Sequence, residues 1–335
     1  MTSPPPRRPI AAHPITVTVS TGRCGTTYLA ETFELSFPDA TIAHESLHPN
    51  VAKPAVYHRA YDARAFEPML AEPGVRAVLN DWRDASERAP VFEAGWTMSA
   101  LVPGLRQEYG DQLRALIVHR HPVQVAASFA VMGHYSLNKS PAWAITPFHD
   151  RVLYPQFADR WDGMSPFERS LYRWLEITAY GLELPKRFPD LSTLTVTADE
   201  IFRSPETLDR IAEFAGLPAR KEIPQSPRKN VFRQNDVEVR PIGDEWERYD
   251  RHPEVVSLGR ELGYDMSRDH LRDIVRKYQM PPGVLPWLRR ASGYWALRRR
   301  GGAVLRSLGL RGGSAESSHP RSGPITHAPH AGAVE

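Results

Sequence analysis

Apolar and polar positions alternate between two periods along this chain. Ile15-Thr16-Val17-Thr18-Val19 is a β-branched run of strand length. Thr27 to Phe37 follows with Tyr28, Leu29, Thr32, Phe33 and Leu35 at helical spacing. Residues 39–43 suggest a short second strand, residues 61–70 a helix, and Val75 to Leu79 a strand or the approach to one. Pro90-Val91-Phe92-Glu93 forms a strand edge that runs through Gly95 into a predicted helix from Thr97 to Tyr109, with Met98, Leu101, Leu105 and Tyr109 on one face. Leu113 to His119 (LRALIVH) has the clearest signature of a buried strand, and Val123 to Val131 is helical in pattern, with Pro122 at its first turn. Residues 133–164, rich in Gly, Pro, His and aromatics, suggest a long insertion able to act as a lid over an acceptor. Pro166 to Phe188 predicts a long helix with Leu171, Trp174, Leu175, Thr178 and Leu182 inward; Leu191 to Thr197 is a strand, and Pro205 to Ala215 a helix closed by Gly216. Strands alternating with helices imply an α/β protein, three layers α/β/α around a central parallel sheet.

Composition narrows the class without naming it. A chain of 335 residues, 41% hydrophobic and 24% charged, has ample material for a core. The net charge of +3 is too small for wrapping nucleic acid, although all but six of the 42 basic side chains are arginine. One cysteine, Cys24, excludes an internal disulfide framework and fits a reducing, cytoplasmic setting. Residues 1–14 (MTSPPPRRPIAAHP) form a Pro-rich lead expected to be disordered, without the apolar core of a secretory signal. Residues 15–278 are expected to form one catalytic domain, 279–311 a basic aromatic helical extension, and 312–335 a disordered tail.

Chemistry enters at Ser20-Thr21-Gly22-Arg23-Cys24-Gly25-Thr26-Thr27. A strand, a turn with two glycines and a helix N-terminus aim backbone N–H groups and a helix dipole at one spot, which makes an anion site. A nucleoside triphosphate loop would place lysine directly after the last glycine. Here Thr26 stands there, and the fixed cation comes earlier, at Arg23. A second segment, LIVHRHPVQVAASF, puts Arg120 at a strand's carboxyl end and Ser128 eight residues on. An arginine there faces the ligand crevice of an open sheet and suits a phosphate monoester.

Together these segments, roughly a hundred residues apart, resemble the two phosphate motifs of the sulfotransferases that use 3′-phosphoadenosine 5′-phosphosulfate (PAPS). Tyr172-Arg173-Trp174 and the segment Asp199 to Glu206 are similar to elements of bacterial members, with Ala198 where those have tyrosine. The resemblance implies a P-loop NTPase-like sulfotransferase fold over residues 15–278. It also implies PAPS as co-substrate with no metal, and binding through Arg23, Cys24, Gly25, Thr26, Thr27, Arg120 and Ser128. Arg228 and Lys229, in the late basic loop, are expected to close over the nucleotide. The dipeptide Glu93-Ala94 departs from the Glu-Lys of related enzymes, whose lysine helps stabilise the transferring sulfonate.

Sulfuryl transfer also needs a base. Glu45, 22 residues after Arg23 and just past the second strand, stands about where the protein-tyrosine and several bacterial sulfotransferases have a glutamate base, so the resemblance implies it as the base, with Arg23 as its catalytic partner. His44 and His48 flank it as alternatives. The same residues spell His44-Glu45-x-x-His48, a zinc-peptidase motif, which works only on a helix and here runs straight into Pro49. A P-loop nucleotide kinase is the other rival, lacking its lysine and a strand-end aspartate. The acceptor stays open among small molecules, carbohydrates and lipids, with Trp143, His149, Tyr154 and Trp161 as aromatic and polar groups for it. The oligomeric state is not specified by the sequence. Residues 287–311 carry seven arginines, no acid, and Trp287, Tyr294 and Trp295 among leucines. They suit either peripheral contact with an anionic inner membrane face or a helical extension packed on the body.

Overall fold

The computed structural model describes residues 13–47, 63–136, 144–149, 151–219, 242–276 and 278–279. All of them belong to the compact unit Met1–Pro282. Apart from His13, Pro14 and Gln279, the expected lead, basic extension and tail lie outside the described residues, as do His48, Trp143, Arg228 and Lys229. Among the described residues no helix is long and apolar enough to cross a membrane.

Five strands form one wholly parallel sheet: β1 Ile15–Ser20, β2 Thr41–Ala43, β3 Val91–Glu93, β4 Leu113–His119 and β5 Ser192–Thr197, in the order β2-β3-β1-β4-β5. The longer helices between them are α1 Thr26–Ser36, α2 Pro73–Ser86, α3 Val102–Tyr109, α4 Pro122–Val131 and α5 Pro166–Arg187, and the helix expected at 61–70 is a 3-10 turn Ala63–Phe66 running into a short α-helical turn Glu67–Leu70. After β5 come α6 Ala198–Arg203, α7 Pro205–Phe214, α8 Pro253–Glu261 and α9 Arg268–Arg276. Alternation along the central strands feeds two cores. Ile15, Val17 and Val19 of β1 join Leu113, Ala115 and Ile117 of β4 in the core under α2 and α3, whereas Leu116 and Val118 face the core of α1, α4 and α7. The result is the expected three-layer α/β/α architecture.

Several local expectations are corrected. Val75 to Leu79 is not a strand but part of α2: Val75, Leu79 and Trp82 recur at helical spacing and are buried on one side, and Pro73 starts the helix. A five-residue apolar window was too short to reveal that period. Leu35 is 64% exposed, because Tyr28, Leu29, Thr32, Phe33 and Ser36 define the buried face of α1. In α5 the buried position is Leu184 rather than Leu182. The helix expected from Thr97 begins as a 3-10 turn at Ser99–Leu101 and becomes α-helical at Val102, with Pro103 in its first turn.

The insertion is less of a lid than its composition suggested. Residues Pro155–Gly163 form a 3-10 helix that buries Phe157 and Trp161, and Trp161 packs edge-on against Tyr172 of α5 at 5.4 Å. The buried Glu176 of α5 accepts the backbone N–H groups of Leu153 (2.7 Å) and Tyr154 (3.2 Å). This half of the insertion is therefore core, and Trp161 is committed to packing.

Candidate functional site

β1 and β4 pair from Ile15↔Leu113 to Ser20↔Val118. The chain leaves β1 toward β2 and β3 on one side and leaves β4 toward β5 on the other. Their carboxyl ends thus stand side by side where the strand order reverses, the usual crevice of an open α/β sheet.

The loop after β1 is wound tightly. Gly22 (φ 77°), Arg23 (φ 63°) and Gly25 (φ 86°) are left-handed, which glycine adopts freely and arginine does not. Hydrogen bonds hold that winding: Gly22 N–H donates to Ser20 Oγ at 3.0 Å, Thr21 Oγ1 to Gly22 O at 2.7 Å, and Ser20 N–H to Ser99 Oγ at 3.0 Å. Gly25 is the N-cap of α1 and no side chain caps it, so the N-terminal end of the helix dipole opens onto the loop. The Cys24 side chain turns inward, its Sγ 3.2 Å from Thr21 Oγ1, and burial pushes its pKa up, so it stays a thiol. Any part Cys24 plays toward an anion falls to its main chain.

Sequence-distant basic groups meet here. Arg23 Nε donates to Ser128 Oγ at 2.8 Å across 105 residues of chain. Arg120 Nη1 donates to the Arg23 carbonyl at 3.0 Å, while its Nε donates to Gln124 Oε1 at 2.7 Å. Burial holds the Arg23 guanidinium below its ordinary pKa; Tyr278 opposes that shift, and the charge of Arg120 adds to it. Two arginines whose charges oppose each other near a helix N-terminus favour a neighbouring anion.

α5 braces both loops from within the protein. Arg173, 1% exposed, donates Nε and Nη2 to Thr21 O at 3.2 and 3.1 Å, and its guanidinium lies 4.7 Å from the Trp96 ring and 4.9 Å from that of Phe129. The next residue, Trp174, donates Nε1–H to Arg120 O at 2.7 Å. Farther along, α5 lies close on the sheet at Gly181, where a Cβ would stand 3.1 Å from Val19 Cγ1. Tyr172-Arg173-Trp174 drew notice in the sequence only as a resemblance; the brace that it forms became visible with the fold.

Past β2, His44 Nε2 lies 3.2 Å from Thr27 Oγ1 and 3.5 Å from Thr26 Oγ1, at the first turn of α1. Glu45 is left-handed (φ 56°), and its N–H donates to Glu93 Oε1 at 2.6 Å. Ser46 donates to the same carboxylate through its N–H at 3.2 Å and through its hydroxyl. Glu93 is fully buried; burial raises its pKa, and the bonds from Ser46 and Glu45 act against that. Ala94 is buried just after β3, its N–H on Ala43 O at 2.8 Å, and carries no charge of its own toward the crevice.

The structure therefore brings Arg23, Cys24, Gly25, Thr26, Thr27, Arg120 and Ser128 into one neighbourhood and sets His44 against it. Glu93 and Arg173 are the residues that sequence reasoning did not assign. The zinc reading loses its frame, because His44 and Glu45 leave β2 in bends rather than a helix. β4, the strand on which the kinase reading would need an aspartate, closes with His119, whose Nδ1 is 2.7 Å from Tyr264 OH.

The chain matches no protein-family model and no curated protein. Solved structures similar to it include a sulfotransferase domain from the curacin biosynthetic pathway, at 12% identity over 76% of this chain and 99% of that one, TM-score 0.45. A sulfotransferase domain from the Synechococcus PCC 7002 olefin synthase is 15% identical over 80% of this chain and 100% of its own, TM-score 0.41. A sulfotransferase from Alicyclobacillus acidocaldarius is 17% identical over 78% and 99%, TM-score 0.44. Likeness this distant assigns no activity, and the function has to be argued from the residues.

Proposed function

We propose that this chain is a sulfotransferase that moves the sulfuryl group of PAPS to a hydroxyl or amine of a small-molecule, carbohydrate or lipid acceptor. The meeting of Arg23, Arg120 and Ser128 supports the reading most, since Arg23 touches Ser128 at 2.8 Å and Arg120 touches the Arg23 carbonyl at 3.0 Å. Two anion-binding segments far apart in sequence become one positive patch, as a donor with a 5′-phosphosulfate and a 3′-phosphate requires.

In this reading Arg23, Gly25, Thr26, Thr27 and the main chain of Cys24 take the 5′-phosphosulfate, and Arg120 and Ser128 take the 3′-phosphate. Arg228 and Lys229 close over the nucleotide. Guanidinium groups and a helix dipole supply the positive charge that Mg²⁺ supplies in a kinase. The Glu45 carboxylate accepts the acceptor's proton, and the freed electron pair forms the new bond to sulfur. The bond from sulfur to the bridging phosphate oxygen breaks, and adenosine 3′,5′-bisphosphate leaves with that pair. Arg23 stabilises the charge growing on the bridging oxygen, the role for which no lysine is present at position 94.

The test is an acceptor panel with PAPS, read by the mass gain of one sulfuryl group. Glu45→Gln is expected to lower turnover roughly 10²–10⁴-fold with bisphosphate affinity retained, because the base acts on the acceptor. Full turnover in Glu45→Gln, with loss in His44→Ala, would move the role to His44, whose contact with Thr27 at 3.2 Å sets it at the same loop.

A further inference from the structure

We infer that Glu93 is the positioning residue for the base: its carboxylate anchors the turn that carries Glu45 by accepting hydrogen bonds from the Glu45 N–H, the Ser46 N–H and the Ser46 hydroxyl. The inference rests on Glu45 acting as that base. Three donors from two successive residues converge on one carboxylate, with the Glu45 N–H at 2.6 Å from Oε1 and the Ser46 N–H at 3.2 Å from Oε2. Charge-assisted bonds of this kind are the strong ones in proteins.

The surroundings fit the role. Glu93 ends β3, in register with Val17 of β1 on one side and Ala43 of β2 on the other, a position that packing alone would fill with an apolar residue. A carboxylate buried there is costly unless it is fully hydrogen-bonded, and the donors that satisfy it come from the Glu45 turn. Glu45 adopts φ 56°, which a non-glycine residue holds only when its surroundings impose it. Gly95 leaves the space: a Cβ there would stand 2.7 Å from Glu93 Oε1 and 2.8 Å from Glu45 N. Residues 93 to 95 are thus built around one contact. Since His44, next to Glu45, reaches Thr27 of α1, the anchored turn is also tied to the donor loop.

The experiment uses the full chain and needs no identified acceptor. With radiolabelled PAPS and water as the accepting probe, sulfate release is measured for wild type, Glu45→Gln, Glu93→Gln and the double variant. Glu93→Gln keeps the side-chain shape but puts an NH₂ where an oxygen accepted, and is expected to slow release about 10-fold or more with bisphosphate affinity unchanged. The double variant is expected to be no slower than Glu45→Gln alone, since Glu93 acts through Glu45. Ser46→Ala, which removes a single donor, is expected to show a smaller loss, and it serves if Glu93→Gln folds poorly. A second readout is independent of turnover: the Glu45 and Ser46 amide protons should resonate downfield and move upfield together in Glu93→Gln. Full activity in Glu93→Gln and Ser46→Ala, multiplying losses in the double variant, or unmoved amides would overturn the inference. Glu45→Gln at the wild-type rate while both amides still move would instead overturn Glu45 as base, and the kinetic role of Glu93 with it.

Discussion

Gly25 carries two constraints at once. Its φ of 86° is closed to most side chains, and a Cβ there would stand 2.6 Å from the Phe202 ring. Gly25→Ala is therefore expected to distort the loop and weaken adenosine 3′,5′-bisphosphate at least 10-fold, measured by calorimetry on protein whose circular dichroism is unchanged. The buried face of β1 offers an opposite case. Thr18 is fully buried, and its Oγ1 has no hydrogen-bond partner among the described residues. A hydroxyl in that position costs about 1–3 kcal/mol. Thr18→Val is expected to raise the melting temperature by about 2–4 °C, and a fall would show that the hydroxyl is satisfied in solution. At this scale the sequence singles out Arg23, Arg120 and Ser128 as candidates, because loop grammar and strand-end position are local signals, and the fold brings the three together. Glu93 and Arg173 were out of reach, since their partners Glu45 and Thr21 are 48 and 152 residues away.

Among the elements, α5 does most to join the site to the cores. Its successive residues Arg173 and Trp174 support the carbonyls of Thr21 and Arg120, one on the loop after β1 and one on the loop after β4. Trp174→Phe keeps an aromatic ring, though a smaller one, and removes the N–H; it is expected to weaken the bisphosphate roughly 3–10-fold through the Arg120 loop, with helix content retained. Unchanged affinity would show that the loop holds itself. α2 and α3 are tied by Glu108, which accepts from Arg76 Nη1 at 2.8 Å and from Arg83. Burial alone would raise the Glu108 pKa, but the bonds and charges of Arg83 and Arg76 outweigh it, and the pKa is lowered. Its contribution is present above the ordinary carboxylate range and lost as pH falls through the lowered value. Glu108→Gln is thus expected to cost about 1 kcal/mol near neutrality, with the difference from wild type closing in acid, as urea titrations at several pH values would show. Elements with flanking turn signals, such as β1, β4 and α4, were legible from periodicity. The start of α2 at Pro73 is not legible in the five-residue apolar window Val75 to Leu79, and Trp161 is ambiguous in sequence because aromatic composition does not distinguish a binding surface from a core.

For the molecule as a whole, strand order matters more than any single motif. Placing β1 beside β4 brings the two segments to one edge of the crevice, a juxtaposition that alternating strands and helices suggest but do not dictate. Residues 287–311 lie outside the described residues; co-sedimentation of the full chain with anionic vesicles, released by salt, would mark membrane contact, and no co-sedimentation would leave the extension packed on the body. The most direct test of the central claim is calorimetry of adenosine 3′,5′-bisphosphate against AMP in EDTA, on wild type and Arg120→Ala. The bisphosphate should bind without metal, more tightly than AMP, and Arg120→Ala should cost it about 1.5–3 kcal/mol while leaving AMP nearly unchanged. Equal affinity for the two nucleotides, or binding that requires Mg²⁺, would contradict the account.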